Sequence, residues 1–136
     1  MNGVLIDTGP LVAIISERDT EHRRCLEQSR TISPPMVTCW PVVTEAAWLL
    51  RNRPASVRDL FRAFEDGVLR LARLDETDMP AIDGILKTYA SLRPQLADAS
   101  LVHLAEREQL PKIFTLDRRD FTVYRLSRNR RLQLIP

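Results

Sequence analysis

Residues 3–15 read Gly3-Val4-Leu5-Ile6-Asp7-Thr8-Gly9-Pro10-Leu11-Val12-Ala13-Ile14-Ile15. Gly3 to Ile6 is a short apolar run closed by Asp7-Thr8-Gly9-Pro10, the chemistry of a strand that ends in a turn or a helix start. Leu11 to Ile15 stays apolar and reads as a buried helix, with Thr8 or Asp7 as its cap and Pro10 in its first turn. The same alternation continues downstream. Strands are expected over 36–38, 68–71, 113–116 and 132–135, and helices over 19–29, 41–51, 56–65, 79–89 and 95–109. Strands alternating with helices imply a mainly parallel sheet covered on both faces, an α/β sandwich.

A length of 136 residues fits one domain spanning 1–136 and leaves no room for two. Four glycines cannot build a dinucleotide-binding or phosphate-loop pattern. No charge-free apolar run approaches the roughly 18 residues of a membrane span. The first residues lack a basic region and Asp7 interrupts the apolar stretch, so no signal peptide is expected. Cys25 and Cys39 are too few for a secreted disulfide scaffold and lack zinc-ribbon spacing. The expected location is cytoplasmic, with no membrane partner.

Certain acids sit in unusual places. Glu45 is the one charged residue between Thr31 and Leu50, inside an otherwise apolar helix. An ionised carboxylate there is costly unless it is paired or binds a metal, and its own segment offers no basic partner. The alternatives are a narrow solvent stripe or a distant arginine. Asp7 and Asp117 each follow an apolar strand, and the carboxyl ends of parallel strands line the crevice where ligands bind. Taken singly, each also suits the capping of the next turn or helix. Asp98 opens a helix in which Leu101, Val102 and Ala105 fall on its own face, although a favourable interaction with the helix dipole is equally open to it. Together the four acids suggest an oxygen-lined divalent cation site. Hard oxygen ligands without a His/Cys cluster favour Mg2+ or Mn2+ over zinc.

In these residues the chain resembles the PIN-domain ribonucleases, most closely the VapC-type toxins of bacterial toxin–antitoxin pairs. The matching segments are Val4-Leu5-Ile6-Asp7-Thr8-Gly9-Pro10-Leu11, Thr44-Glu45, Leu96-Ala97-Asp98-Ala99 with Leu104-Ala105, and Phe114-Thr115-Leu116-Asp117-Arg118-Arg119-Asp120-Phe121. They run in order across essentially the whole chain, with the acids separated by 38, 53 and 19 residues. Leu110-Pro111 stands where the family often has a glycine, which bears on loop shape and not on chemistry.

The resemblance implies a PIN-like three-layer α/β/α sandwich and an endoribonuclease that leaves a 5′-phosphate and a 3′-hydroxyl. It implies Asp7, Glu45, Asp98 and Asp117 as the catalytic quartet, with Thr115 and Thr8 as supporting hydroxyls. Asp7, Asp98 and Asp117 are expected at the metal; Glu45 is either a ligand or the group that orients the attacking water. The implied partners are RNA, a small cognate antitoxin whose tail crosses the acidic site, and a second copy of the chain. The apolar helical segments Leu11–Ile15 and Val42–Leu50 can contribute to such interfaces, although core packing claims most of them.

Eighteen of the twenty basic residues are arginines, and six lie between Asp117 and Pro136. Arginine suits bidentate phosphate contacts, which makes Arg118 and Arg119 candidate RNA contacts; a solvated tail and arginine-rich codon usage are the competing explanations. His22, Cys25 and Cys39 offer no fourth zinc ligand. His103 lies about 140° around its helix from Asp98 and points away from the acids. Trp40 and Trp48 are assigned to core or interface packing. Three other readings stay open: a phospho-acceptor receiver domain, for which no lysine is suitably placed; a PIN fold that acts chiefly as a partner-binding module; and a metal-dependent DNA nuclease.

Overall fold

The computed structural model describes residues 3–136; Met1 and Asn2, which the expected domain and the leader reading also include, lie outside the described residues. In chain order its first half holds β1 (Val4–Ile6), α1 (Thr8–Ile15), α2 (His22–Ser29), β2 (Met36–Thr38), α3 (Trp40–Leu49) and α4 (Pro54–Glu65). The second half holds β3 (Leu69–Leu71), α5 (Met79–Thr88), α6 (Leu96–Arg107), β4 (Lys112–Phe114), α7 (Arg118–Phe121), β5 (Arg125–Leu126), β6 (Arg130–Arg131) and β7 (Gln133–Ile135). The expected sandwich is present. Five strands form one parallel sheet in the order β3-β2-β1-β4-β7, and helices flank it.

Short apolar strands suit a sheet buried on both faces. Val4, Leu5 and Ile6 are all buried, as are Ile113 and Phe114 beside them. The inner residues of α3 and α6, among them Val42, Ala46, Leu101 and Leu104, complete the core. From β1 the chain first builds outward through β2 and β3 on one side, then through β4 and β7 on the other. The strand order therefore reverses between β1 and β4, where an open parallel sheet leaves a crevice beyond its carboxyl edge.

Several boundaries differ from expectation for local reasons. The second helix starts at His22 and not Asp19, because the Asp19 carboxylate accepts the Glu21 N–H at 2.8 Å and closes a turn. Pro54 sits in the first turn of α4, two residues ahead of the expected start. β4 ends at Phe114, which leaves Thr115 to Asp117 free to serve the crevice. The one-turn helix α7 and the two-residue β5–β6 hairpin have too few residues to express a period.

α6 is held by more than apolar packing. A buried Asp78 accepts a hydrogen bond from Arg107 Nη1 at 2.9 Å, and His103 Nε2 lies 2.8 Å from the same oxygen. Its other oxygen accepts the Asp75 N–H at 3.0 Å, and Arg107 also donates to the Arg73 carbonyl at 2.7 Å. The Asp75 N–H and His103 hold the Asp78 carboxyl well below the usual carboxylate range. His103 thus points away from the four acids and has a structural task. Replacing Asp78 with alanine strips Arg107 and His103 of their shared acceptor, and the melting temperature should fall by on the order of 5 °C. An unchanged thermal transition would mean that the tie contributes nothing.

Candidate active site

The parallel register decides what meets in the crevice. Ile6 pairs with Phe114, so the next step brings Asp7 beside Thr115, and the Asp7 N–H donates to the Phe114 carbonyl at 2.9 Å. Asp7 caps α1, with one carboxylate oxygen accepting the Thr8 N–H at 2.8 Å. Its other oxygen accepts the Thr115 hydroxyl, also at 2.8 Å. The same hydroxyl oxygen accepts the Asp117 N–H at 3.0 Å. One buried threonine therefore fixes both strand-end acids. Asp117 in turn caps α7 through the Asp120 N–H at 3.2 Å. Capping and site lining, alternatives in the sequence, are here performed by the same side chains.

Asp98 is the third residue of α6, and Glu45 lies half-buried on α3. With Asp7, Thr8 and Asp117 they line one cleft, so four acids far apart in sequence are brought together. Asp120 lines it as well. One carboxylate oxygen from each of Asp98, Asp117 and Asp120 can be chosen so that all three lie within 4.8 Å of one another. Asp120 was absent from the expected set. Its signal was the three-residue spacing from Asp117, which puts both on one side of a helical turn, but it stands in a charged stretch where an aspartate is unremarkable.

The acids repel one another without a cation between them. Among the described residues none of Asp7, Glu45, Asp98, Asp117 and Asp120 forms an ion pair. Burial raises the Asp7 carboxyl above the ordinary carboxylate range against its two hydrogen bonds, and Glu45 and Asp117 add to the rise. Burial, then the charges of Asp7 and Asp117, push Asp98 up to about 7. The Thr8 hydroxyl is buried beside them with no hydrogen-bond partner. An all-oxygen set of this kind suits a hard divalent cation, which would let the carboxylates stay ionised together.

Other candidates lie elsewhere. Arg118 and Arg119 are exposed and outside the cleft lining; the Arg118 guanidinium donates to the Pro136 carbonyl. His22 Nδ1 lies 2.7 Å from the Ala13 carbonyl oxygen and Cys25 is a buried free thiol, so this pair serves the contact between α1 and α2. Trp40 and Trp48 are not in the core: both are more than half exposed. Among the described residues no helix is long and apolar enough to cross a membrane.

Comparison with known proteins bears on the family and the fold. The PIN domain family model matches residues 4–126. Ribonuclease VapC26 of Mycobacterium tuberculosis (strain ATCC 25618 / H37Rv) is 29% identical over 135 residues, covering 98% of this chain and 100% of that protein. Among solved structures, the Mycobacterium tuberculosis VapC20 toxin, described as cleaving the sarcin–ricin loop, superposes with a TM-score of 0.70. It shares 16% identity and the match covers 82% of this chain and 87% of that one, a likeness of fold.

Proposed function

Because the chain belongs to the PIN-domain family, we propose that it is the toxin of a toxin–antitoxin pair, an endoribonuclease that hydrolyses RNA phosphodiester bonds. The observation that carries this reading is the cleft at the reversal point of the sheet, where Asp7, Glu45, Asp98 and Asp117 converge and, among the described residues, none of them forms an ion pair. A full-length relative named as a ribonuclease supports it.

Mg2+ or Mn2+ is the fitting cation; Asp98, Asp117 and Asp120 would hold it, with Asp7 lining the same cleft. Bound there, it supplies a Lewis acid that activates water and offsets charge on the phosphate and the leaving oxygen. The chain's own groups do the positioning. Thr115 and the Thr8 N–H hold the Asp7 carboxylate still, and Asp117 is held by α7. Glu45 faces the cleft from α3 and orients the attacking water by accepting a hydrogen bond from it. Attack at phosphorus breaks the bond to the 3′ oxygen and leaves a 3′-hydroxyl and a 5′-phosphate. The reaction is placed in the cytoplasm, and a small cognate antitoxin restrains it.

A homodimer belongs to the same reading. Trp40 and Trp48 on α3, Met79 on α5 and Leu96 on α6 are each more than half exposed and line adjoining apolar grooves. Adjoining exposed apolar side chains of this kind suit an interaction surface, and the proposal puts a second copy on it. Trp48→Asp combined with Leu96→Asp should convert a dimer into a folded monomer in sedimentation experiments. A wild-type monomer at micromolar concentration would remove this part of the proposal.

The deciding experiment is induction of the chain alone in cells, followed by sequencing of newly formed 5′-phosphate ends. Wild type should arrest growth and produce a defined set of ends that Asp7→Asn does not. Identical ends from both proteins would end the nuclease assignment.

A further inference from the structure

Arg93 is the basic residue among those lining the acidic cleft. Its side chain is exposed, and it forms no ion pair with any of the five carboxylates around it. An arginine beside so many acids normally closes onto one of them; among the described residues this one closes onto none.

The backbone at this point is itself unusual. Arg93 follows a 3-10 turn over Ala90–Leu92 and is left-handed, with φ 51° and ψ 54°. For a residue with a Cβ this conformation is unfavourable, and glycine is the usual occupant. The next residue is Pro94, which normally drives its predecessor into extended geometry. Arg93 therefore occupies a position that local propensity argues against twice. The turn is well anchored: the Arg93 N–H donates to the Ala90 carbonyl at 3.0 Å. Tyr89, just before the turn, accepts the Arg125 N–H through its hydroxyl at 2.9 Å. The Tyr89 ring also packs edge-on against Tyr124 with centroids 4.9 Å apart. Five residues beyond Arg93 comes Asp98, so one rigid segment carries the cleft's lone basic lining residue and one of its central acids.

We propose that Arg93 is the chain's own phosphate anchor: its guanidinium grips non-bridging oxygens of the RNA backbone at the cleft mouth and aligns the strand over the acidic cluster. This rests on the ribonuclease reading. The charge arithmetic favours it, because RNA brings an anion at every nucleotide to a cleft that is already acidic. A cation among the carboxylates would offset one phosphate, and a separate positive group is needed to hold the strand in register. Arginine fits this task better than lysine because its planar fork makes two parallel bonds to one phosphate. Arg118 and Arg119, outside the cleft lining, do not have this placement.

The test uses full-length protein in an Asp98→Asn background, so that RNA is bound but not cut. Binding of a fluorescent single-stranded RNA is followed by anisotropy over a range of salt. Arg93→Gln should weaken binding about tenfold and lower the slope of log affinity against log salt by about 0.7, the value for one single-strand phosphate contact. Arg93→Lys should keep the slope and recover only part of the affinity. Arg93→Gly relieves the backbone, so it should match or exceed the parent's melting temperature while losing the same slope. Parent-like affinity and slope in both Arg93→Gln and Arg93→Gly would overturn the inference and leave the nuclease reading intact. If the parent does not bind RNA and the wild type does not cut it, the nuclease reading fails and this inference fails with it.

Discussion

Asp98→Asn should reduce RNA cleavage at least about a thousandfold while leaving a folded protein that melts no lower than wild type in EDTA. Both halves follow from the position of this carboxylate. Asp98 stands in the first turn of α6 among Asp7, Asp117 and Glu45, and burial together with those charges raises it from 3.8 to about 7. A carboxyl whose folded pKa lies above its unfolded value binds its proton more tightly in the folded state. Its contribution to stability is therefore fully present below about pH 4 and is lost as pH rises through about 7. At pH 8 the charged Asp98 opposes folding, and asparagine removes that opposition without altering the shape. In EDTA the variant should melt a few degrees above wild type at pH 8 and level with it near pH 4. Added Mn2+ should raise the melting temperature of wild type and hardly move the variant. A variant that cuts RNA at the wild-type rate would remove Asp98 from the site. A variant that fails to fold would instead make the residue structural, and Asp7→Asn provides an independent check on the same cluster.

Acidification should release the cation. With Asp98 near 7, its ionised fraction at pH 5.5 is only a few per cent, so apparent Mn2+ affinity should fall roughly thirtyfold between pH 8 and pH 5.5. Asp7, also raised, adds to the loss. Calorimetric titration, or the thermal shift given by Mn2+ at each pH, measures this directly. The direction distinguishes the site from an exposed cluster of aspartates, which would stay ionised and bind equally across that range. Asp98→Asn should flatten the dependence as well as weaken binding. Affinity that stays constant from pH 8 to pH 5.5 would contradict an Asp98 carboxyl raised by partial burial and by its acidic neighbours.

The acids differ in how readily the sequence discloses them, and the difference is physical. Glu45 is conspicuous because twenty residues around it contain no other charge, and burial of a lone carboxylate is expensive. Asp7 and Asp117 are conspicuous because they end apolar strands. Asp120 has charged neighbours on its N-terminal side and carries no such contrast; the turn of α7 brings it to Asp117 and Asp98. Arg93 is hidden among eighteen arginines, since composition says nothing about which guanidinium faces an acidic cleft. Trp40 and Trp48 mislead in the other direction. Apolar residues all round α3 read as core, yet one side of the helix remains at the surface with both indoles exposed.

Local chemistry alone specified the alternation of strand and helix, since the short apolar runs that end at Asp7 and Asp117 are of strand length and suit a covered sheet. It also specified the hard-oxygen character of the site, because that depends on residue types and not on where they lie. The strand order β3-β2-β1-β4-β7 lay beyond such reasoning, since pairing is set by long-range packing that no period in the chain encodes. That order places the C-terminal ends of β1 and β4 side by side, and the pairing of Ile6 with Phe114 gives Asp7 and Asp117 a single threonine hydroxyl to share. Residues 108 positions apart thereby become hydrogen-bonded neighbours, and a list of carboxylates becomes a cleft with one depth, one charge and one arginine in its lining.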